Sequence, residues 1–510
     1  MKKSGNKINF FFLQCFFYTF CFDTLLSLEK LKTLTTFQKS YSLLINLTLG
    51  LALSQIIFLS IKFSKKFYFL TSSFLFFISS LSSYFFIFYK APISETTLEL
   101  MIYTNPEEIL NLITPGLLLW VFSFTGIGIW LSTQSLQTIK ISKKSSLFWS
   151  IITLIIILSE QNFFFEQFYP FNLIHYTKAL IQKRISSTTI NRFESNSIAL
   201  KENAPEKMLV ILIIGESARG DHFYQNGYHR PTTKLIDQQK NIISFDQACS
   251  CSNTTHISVP CLLTRASKEN LAPTHAESSI IQVFNRAGFH STWIGNQGGY
   301  FSSEGSFMRL AKEAHEVIVP SRALYKGSQL DEKLLPIFDE KLTERSNYEF
   351  IILHMMGSHY HYEARYPSEY TLHEPICKKS HFSRDVSHCS LESILNSYDN
   401  SLYYTSNFLN QIIERVKNER AFIIYASDHG ESLGENGVYL HGTVKAPEQY
   451  NIPFIIWTSD QYLESNPSSQ QILTNKQHEK ISHDYIFYTL MDAGFIDSDL
   501  YNESLSLLQP

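Results

Sequence analysis

Residues 421–442 read AFIIYASDHGESLGENGVYLHG, and this stretch decides the fold that we expect of the chain. Its first six residues are apolar and β-prone, which is typical of a strand buried on both faces of a parallel sheet. The run ends directly before Asp428 and His429, so two metal-ligand side chains stand where open α/β sheets build their sites. His441 follows in a Gly-rich loop that can fold back over the same point. Taken alone, the Asp-His pair also fits a hydrogen-bonded turn, so other segments have to decide between the two interpretations.

The second half of the chain has the alternation of an α/β domain. Short apolar, β-prone runs are separated by segments of helical length, which predicts a mostly parallel sheet with helices on both faces. These runs lie at 208–214, 291–294, 349–353, 421–426 and 453–457. We therefore predict an α/β domain over 207–510, which is large enough to bury a stable core without needing disulfides or metal ions for support.

The first 165 residues are rich in Phe, Leu and Ile, in contrast to the remainder of the chain. Apolar stretches there have about the length that a hydrocarbon core of roughly 30 Å requires. We predict an α-helical membrane domain over 1–162 with five spans, at 9–28, 42–61, 67–89, 116–132 and 147–162. The first span could instead be a signal peptide, but no small-x-small cleavage site follows it.

Lysines predict the orientation of these spans. Three lysines precede the first span, three follow the second and three follow the fourth, whereas the segment 90–115 carries four Glu and one Lys. By the positive-inside rule the N-terminus is cytoplasmic and the α/β domain lies on the outer side of the membrane. The segment 29–41 fits less well, because its lysines outnumber its Glu.

Residues 163–206 join the two parts. The segment mixes aromatic side chains with Lys178, Lys183 and Arg184, which is typical of a helix that lies in the headgroup layer. We predict an interfacial helix here, with a plain linker as the alternative.

The cysteines agree with an exported domain. Cys251 and Cys261 bracket one short loop, and Cys377 and Cys389 bracket another, so we predict two disulfides. Cys249 is then the odd one, although it could take the place of Cys251. A zinc site built from cysteines is disfavoured because CxxC spacing is absent from the sequence.

A second carboxylate stands at the end of the first predicted strand. The run 208–214 is followed by Gly215 and Glu216, where we expect a helix to begin. Two neighbouring strands would then offer Glu216, Asp428 and His429 to one point, which is three protein ligands with a fourth position open. The hydroxyl-rich segment 251–261 could supply the fourth ligand as an activated nucleophile.

Five motifs stand on these segments: IGESARGDHF (214–223), CSNTTHISVPC (251–261), LHMMGSHYHYEARYP (353–367), SDHGESLGENGVYLHG (427–442) and ISHDYIFYTLM (481–491). Together they resemble one family, the membrane-bound phosphoethanolamine transferases of Gram-negative envelopes, in the alkaline phosphatase/sulfatase superfamily. The resemblance implies a protein of the bacterial inner membrane with five spans, a bridging helical segment and a periplasmic sulfatase-like domain.

The resemblance also implies a site with one or two zinc ions. The family's ligands fall on Glu216, Asp428, His429 and the nucleophile, which lies four residues after the first Cys of the bridged loop and is therefore Thr255. Thr254 is the nearer competitor. Ser217 is a second rival, but helix capping would account for its hydroxyl.

Substrate-binding residues are implied with less detail. The family's metal- or phosphate-binding histidines match His359 and His441, and His354 matches a further family position. Several relatives carry a Lys in the loop after the strand 291–294, whereas here Asn296 and Gln297 are the candidate donors to phosphate oxygens. Because the positive charge of that Lys is missing here, the identity of the acceptor substrate stays undecided. A second departure is GSHYHY at 357–362, where relatives often have GSHGP.

The reaction that the resemblance implies is ping-pong transfer of phosphoethanolamine. Phosphatidylethanolamine would be the donor, Thr255 the carrier, and lipid A or a core sugar of lipopolysaccharide the acceptor, which would weaken binding of polymyxin by lowering surface charge. A phosphoglycerol transferase acting on an envelope glycan is the alternative. A sulfatase is disfavoured because Cys261-Leu-Leu-Thr-Arg265 lacks the Pro of the CxPxR signature, and a non-catalytic binding module should have lost a ligand. The net charge of −3 disfavours a nucleic-acid partner.

Overall fold

The computed structural model describes most of the second half of the chain and part of the first. The described residues are 64–89, 94, 97–98, 113–138, 151, 171–186, 190–194, 196–297, 306–320, 330–378, 386, 389–442 and 445–510. The chain divides into two compact units, 1–184 and 185–510. The predicted spans at 9–28 and 42–61, and that at 147–162 apart from residue 151, lie outside the described residues. The five-span count, the domain boundaries and the surface position of 163–206 stay predictions.

Two helices of the first unit are long and apolar enough to cross a membrane, judged by length and composition within the described residues. They are α1 (Lys65–Tyr89) and α2 (Pro115–Thr138), and they correspond to the predicted spans 67–89 and 116–132. The hydroxyl oxygens of Ser72 and Ser132 lie 2.6 Å apart, an interhelical hydrogen bond of the kind that joins helices in lipid. The helix α3 (Phe171–Ser186) follows in the bridging segment.

The second unit contains the sheet and its covering helices. Its described strands are β1 (Ile198–Leu200), β2 (Met208–Gly215), β3 (Ile242–Phe245), β4 (Ala248–Cys249), β5 (His290–Gly295), β6 (Glu316–Ile318), β7 (Tyr348–His354), β8 (Ala421–Ser427), β9 (Ser432–Leu433), β10 (Tyr439–Leu440), β11 (Phe454–Thr458), β12 (Ile481–Ser482) and β13 (Ile496–Ser498). Its described α-helices are α4 (Thr255–Leu263), α5 (Pro273–Ala276), α6 (Ile280–Arg286), α7 (Ser306–Ala311), α8 (Leu334–Glu344), α9 (Leu391–Val416), α10 (Asp460–Ser465), α11 (Ser469–Lys476) and α12 (Asp484–Ala493).

Seven of these described strands form one sheet in the order β3-β11-β8-β2-β7-β5-β6. All five predicted strands belong to it, while the edge strands β3 and β6 were not predicted. The strand β11 runs antiparallel to both of its neighbours, and the other pairings are parallel. The prediction of a mostly parallel sheet is therefore confirmed, with one reversed strand near its edge.

The central strand β2 explains why its sequence is apolar throughout. Val210, Leu212 and Ile214 lie in a core on one side of the sheet, and Ile211 and Ile213 lie in a second core on the other side. Because helices cover both faces, alternation between polar and apolar residues is absent from the strand.

The register of the sheet brings four strand ends together. Gly215 of β2 pairs with Ser427 of β8, Ile214 pairs with His354 of β7, and His354 pairs with Gly295 of β5. The loops that follow these strands therefore leave from one edge of the sheet. This edge carries the predicted site.

Candidate active site

Glu216, Asp428 and His429 meet at this edge, as predicted. Nε2 of His429 lies 3.5 Å from Oε1 of Glu216 and 3.4 Å from Oδ2 of Asp428, and all three side chains are fully buried. The backbone N–H of residue 428 donates to the carbonyl oxygen of Gly215, which holds the turn after β8 against the end of β2. The two carboxylates and the imidazole thus face one point.

The ring of His429 is held in one tautomer. Its Nδ1 lies 2.8 Å from the carbonyl oxygen of Gly430, an acceptor, so this nitrogen carries the proton. Nε2 then presents a lone pair towards Glu216 and Asp428, as a metal ligand must.

The hydroxyl of Thr255 completes the cluster. Its Oγ1 donates to Oε2 of Glu216 at 3.2 Å and lies 3.3 Å from Nε2 of His429. Thr255 is half-buried, whereas Thr254 is fully buried and its hydroxyl lies 3.3 Å from that of Ser252. Of the two threonines, Thr255 is therefore the one whose hydroxyl faces the cluster. It is also the first residue of α4.

The hydroxyl of Ser217 does not cap a helix, as we had predicted, but makes a different contact. A regular helix does not begin after Glu216 in the described chain; a short 3-10 turn follows at Gly220–His222. Ser217 adopts φ of 56°, and its hydroxyl donates to Oε1 of Glu216 at 2.7 Å. Helix capping is therefore the wrong explanation, and Ser217 instead orients Glu216.

The charges of the cluster call for a cation. Burial and the charge of Glu216 raise the pKa of the Asp428 carboxyl well above its usual range. Burial also opposes ionisation of Glu216, but nearby imidazoles, with His429 the strongest, outweigh it and lower the pKa of that carboxyl. Two charged carboxylates need a positive ion between them.

Unsatisfied atoms point the same way. Oδ2 of Asp428 is buried and has no hydrogen-bond partner in the described part of the chain, although it lies close to His429. Ligand atoms of Glu216, His429 and His441 lie within 4.8 Å of one another. A buried acceptor with no donor, facing two further ligands, fits a metal ion.

His441 is oriented by a carboxylate that we did not predict. Its Nδ1 lies 2.6 Å from Oε2 of Glu431, and its ring centroid is 4.0 Å from that of His429. Glu431 is fully buried, also accepts from the hydroxyl of Tyr362 at 2.7 Å, and has its pKa raised to about 7 by burial. Its position in SDHGES (427–432), two residues after His429, was the signal that could have revealed it.

The other two predicted histidines lie in different surroundings. The ring of His359 lies 6.1 Å from that of His441, and its Nδ1 lies 2.8 Å from the carbonyl oxygen of Tyr360. His354 ends β7, is fully buried beside Trp293, and has its pKa lowered to about 4 by burial. Roles for either residue in substrate binding stay predictions.

The amides of Asn296 and Gln297 are engaged by acceptors within the domain. Nδ2 of Asn296 donates to Asp331 at 2.8 Å, and Nε2 of Gln297 donates to Oε2 of Glu216 at 2.7 Å. Asp331 was also not predicted. It accepts from the backbone N–H groups of Met356 and Gly357 as well, at 2.7 and 2.9 Å, and so ties three loops of the site together. Direct contact of Asn296 or Gln297 with substrate stays a prediction.

Comparison with known proteins agrees with this architecture. The family model described as Sulfatase matches residues 208–494. The chain belongs to the sulfatase family. The model described as Phosphoethanolamine transferase EptA/EptB matches residues 49–177. The predicted resemblance to membrane-bound phosphoethanolamine transferases is thereby confirmed.

Individual relatives extend the likeness over both units of this sulfatase-family chain. Phosphoethanolamine transferase EptA of Escherichia coli O157:H7 is 26% identical over 470 residues, which cover 85% of this chain and 83% of the relative. Kdo(2)-lipid A phosphoethanolamine 7''-transferase of Escherichia coli K12 is 34% identical over 278 residues, 53% of this chain and 47% of the relative. The integral membrane lipooligosaccharide phosphoethanolamine transferase A of Neisseria meningitidis has the same fold, with a TM-score of 0.83 at 23% identity and 99% coverage of both chains.

Both predicted disulfides of the sulfatase-family domain are present. Cys251 is bonded to Cys261 and Cys377 to Cys389, and among the cysteines that the structure describes Cys249 is free. The first disulfide ties the segment before Thr255 to helix α4. The second lies directly before α9, whose Tyr398 hydroxyl donates to the carbonyl oxygen of Ser217.

Proposed function

We propose that this chain transfers phosphoethanolamine from phosphatidylethanolamine to lipid A or a core sugar of lipopolysaccharide, through a covalent intermediate on Thr255. The observation that carries the proposal is the position of the Thr255 hydroxyl, which is half-buried and lies within hydrogen-bonding distance of Glu216 and His429. The chain's membership of a family of phosphoethanolamine transferases supports the group that is transferred.

Zinc is the metal that this donor set fits. Two carboxylates, an imidazole and a hydroxyl are borderline and hard ligands, and catalytic zinc sites use three protein ligands of this kind with a fourth position for the reacting group. Glu216, Asp428, His429 and Thr255 would hold it, and His359 with His441 would hold phosphate oxygens or a second ion. When bound, zinc supplies Lewis acidity that lowers the pKa of a neighbouring hydroxyl and offsets charge on a phosphoryl group.

In the first half of the reaction, phosphoethanolamine is transferred to Thr255. Its Oγ1 forms a bond to the phosphorus of the donor lipid, the bond from phosphorus to the diacylglycerol oxygen breaks, and the hydroxyl proton leaves along the hydrogen bond to Glu216 and passes to solvent. His441, in its imidazolium form with Nδ1 donating to Glu431, protonates the departing diacylglycerol oxygen. Thr255 begins α4, so the helix dipole favours the negative phosphoryl group beside it.

The second half of the reaction releases the group. An acceptor hydroxyl that attacks the phosphorus gives its proton to His441, which restores the proton lost in the first half; when an ionised phosphate oxygen attacks, His441 regains that proton from solvent. The bond from phosphorus to Oγ1 breaks, and Oγ1 takes a proton from solvent. The residue is then ready for another donor molecule.

The membrane unit accounts for access to both lipids. We propose five spans with a cytoplasmic N-terminus and the catalytic unit on the periplasmic face of the inner membrane. The donor and acceptor lipids would then both lie in the periplasmic leaflet of the inner membrane, which the catalytic unit faces. The helices α1 and α2 support this arrangement through their length and composition.

The experiment compares cells with and without this chain. Lipid A and core fragments are released by mild acid, and their masses are measured by mass spectrometry. In cells that contain the chain, we expect either the lipid A or the core fragment to carry one added phosphoethanolamine. The fragment that gains the mass identifies the acceptor. In a matched assay the purified chain receives vesicles of phosphatidylethanolamine or of phosphatidylglycerol. Transfer only from phosphatidylglycerol would overturn the proposal in favour of a phosphoglycerol transferase.

A further inference from the structure

A buried histidine that is not among the proposed metal ligands joins two loops of the site. His483 precedes α12 and follows β12, which pairs in parallel with β4. In this register Ser482 lies opposite Cys249, so the next residue, His483, comes beside the segment that leads to Thr255. We call this segment, residues 250–254, the nucleophile loop. The His483 side chain is fully buried there.

Both ring nitrogens of His483 are used. The backbone N–H of Cys251 donates to Nδ1 at 3.3 Å, and Nε2 lies 2.9 Å from the carbonyl oxygen of Ser427. A backbone N–H can only donate and a carbonyl oxygen can only accept, so the ring is neutral with its proton on Nε2. The imidazole thus bridges the nucleophile loop and the end of β8.

Each partner of the ring is attached to a reacting residue. Ser427 directly precedes Asp428, and its hydroxyl donates to the carbonyl oxygen of His429 at 2.9 Å. Cys251 lies four residues before Thr255, and its disulfide to Cys261 ties it to the same helix that Thr255 begins. A displacement at either end of the ring would therefore change the separation between the Thr255 hydroxyl and the ligand pair.

We propose that His483 is a positioning residue that sets the separation between Thr255 and the Asp428–His429 pair. This inference rests on the proposed transferase function. It assigns His483 no contact with substrate or metal. Because a displacement of about 1 Å in a catalytic group can cost about 100-fold in rate, loss of the bridge should lower turnover while substrate binding is kept.

The test compares three substitutions in the full-length chain purified in detergent. His483→Gln keeps an acceptor and a donor at a distance from the backbone similar to that of the imidazole, His483→Asn carries the same amide on a shorter side chain, and His483→Leu has neither group. The assay uses vesicles of phosphatidylethanolamine and lipid A. We expect kcat to be highest for the Gln variant, lower for the Asn variant and lowest for the Leu variant, which should lose about 10- to 100-fold. KM for the donor and zinc content should stay at the wild-type values.

A control separates positioning from general loss of stability. Asp492 lies at the other end of α12 and accepts hydrogen bonds from Ser506 and Gln509, at 2.6 and 3.0 Å. Asp492→Ala should lower the Tm but leave kcat per folded molecule unchanged. If His483→Leu loses activity only in proportion to its unfolded fraction, as this control does, the inference is overturned.

The remaining outcomes distinguish this inference from the proposed function. An inactive wild-type chain would refute the transferase function itself. An active wild-type chain with equal kcat in all three His483 variants would leave that function standing and overturn the positioning role. Should His483→Leu fail to fold, the comparison of Gln with Asn decides, and equal kcat values for these two would count against the inference.

Discussion

Oγ1 of Thr255 lies 3.3 Å from Nε2 of His429, although 174 positions separate the two residues in sequence. The contact joins the start of α4 to the end of β8. Because Nδ1 of His429 faces the carbonyl oxygen of Gly430, the lone pair of Nε2 is directed at the point that the Thr255 hydroxyl occupies. A hydroxyl, an imidazole and two carboxylates therefore converge on one point, where the imidazole and both carboxylates are fully buried and the hydroxyl residue is half-buried.

The first prediction concerns the metal ligands. Glu216→Gln and Asp428→Asn keep the shape of each side chain but remove a negative charge, so each should lower zinc affinity at least about tenfold. Elemental analysis of the purified chain, followed by titration of zinc into the metal-free protein, measures the effect.

Asp399→Asn is the matched control for these substitutions. Asp399 is also fully buried, but it has its own partners in His222 and Arg230, at 2.8 and 2.7 Å. This variant should lose stability and keep its zinc. Equal zinc content in the Glu216, Asp428 and Asp399 variants would refute the proposed ligand set.

The second prediction concerns the close approach of Gly357 to Glu216. A Cβ atom at Gly357 would lie 2.7 Å from the carbonyl oxygen and 2.9 Å from the backbone nitrogen of Glu216, and φ of Gly357 is +48°. Gly357→Ala should therefore displace the Glu216 backbone, lower the Tm and weaken zinc binding.

Gly437→Ala is the control, because it measures the free-energy cost of a positive φ angle at a non-glycine residue without the steric clash. Gly437 has φ of +74°, but a Cβ there would have no described atom within 4 Å. Its variant should lose only about 1 to 2 kcal/mol of folding free energy, with zinc binding unchanged. If Gly357→Ala behaves like Gly437→Ala in both thermal unfolding and zinc titration, the close approach has no functional consequence.

The strand ends were predictable because the apolar runs of β2 and β8 stop directly before charged residues. Glu216, Asp428 and His429 could thus be placed at one sheet edge from sequence alone. Thr255 required the family resemblance as well, since spacing did not distinguish it from Thr254.

The supporting residues could not be predicted in the same way. Asp331 and His483 act through contacts with loops that are distant in sequence, and local patterns do not record such contacts. His483, for example, lies 232 positions from its partner Cys251. Ser217 was misjudged for a related reason, because its left-handed backbone replaces the helix start that local propensity favours.

The third prediction concerns the disulfide beside the nucleophile. Replacing Cys251 and Cys261 together by Ser should cost about 2 to 4 kcal/mol of folding free energy and lower transfer activity, because the bond restricts the chain on both sides of Thr255. Cys249→Ser is the control, since this cysteine is free and exposed. Denaturant unfolding and the vesicle assay should separate the two. A Cys249 variant as impaired as the double variant would mean that the pairing in solution is different.

The last prediction concerns the nucleophile, on which the proposed mechanism depends. Thr255→Ala should fold, retain zinc through its three remaining ligands with lower affinity, and form no covalent intermediate. Thr254→Ala is the adjacent control, because the Thr254 hydroxyl faces Ser252 and should be dispensable for the intermediate. Ser217→Ala should also still be labelled, although it loses the hydrogen bond to Glu216.

The measurement is mass spectrometry of the chain after incubation with phosphatidylethanolamine and no acceptor. One phosphoethanolamine is expected on the peptide that contains 251–261, localised by fragmentation to Thr255. Addition of lipid A should then remove this label, because the acceptor oxygen displaces Oγ1 from phosphorus. Label on Ser217 or Thr254, or full turnover by Thr255→Ala, would refute Thr255 as the carrier. Turnover by the wild-type chain with no labelled residue would instead indicate direct transfer between the two lipids.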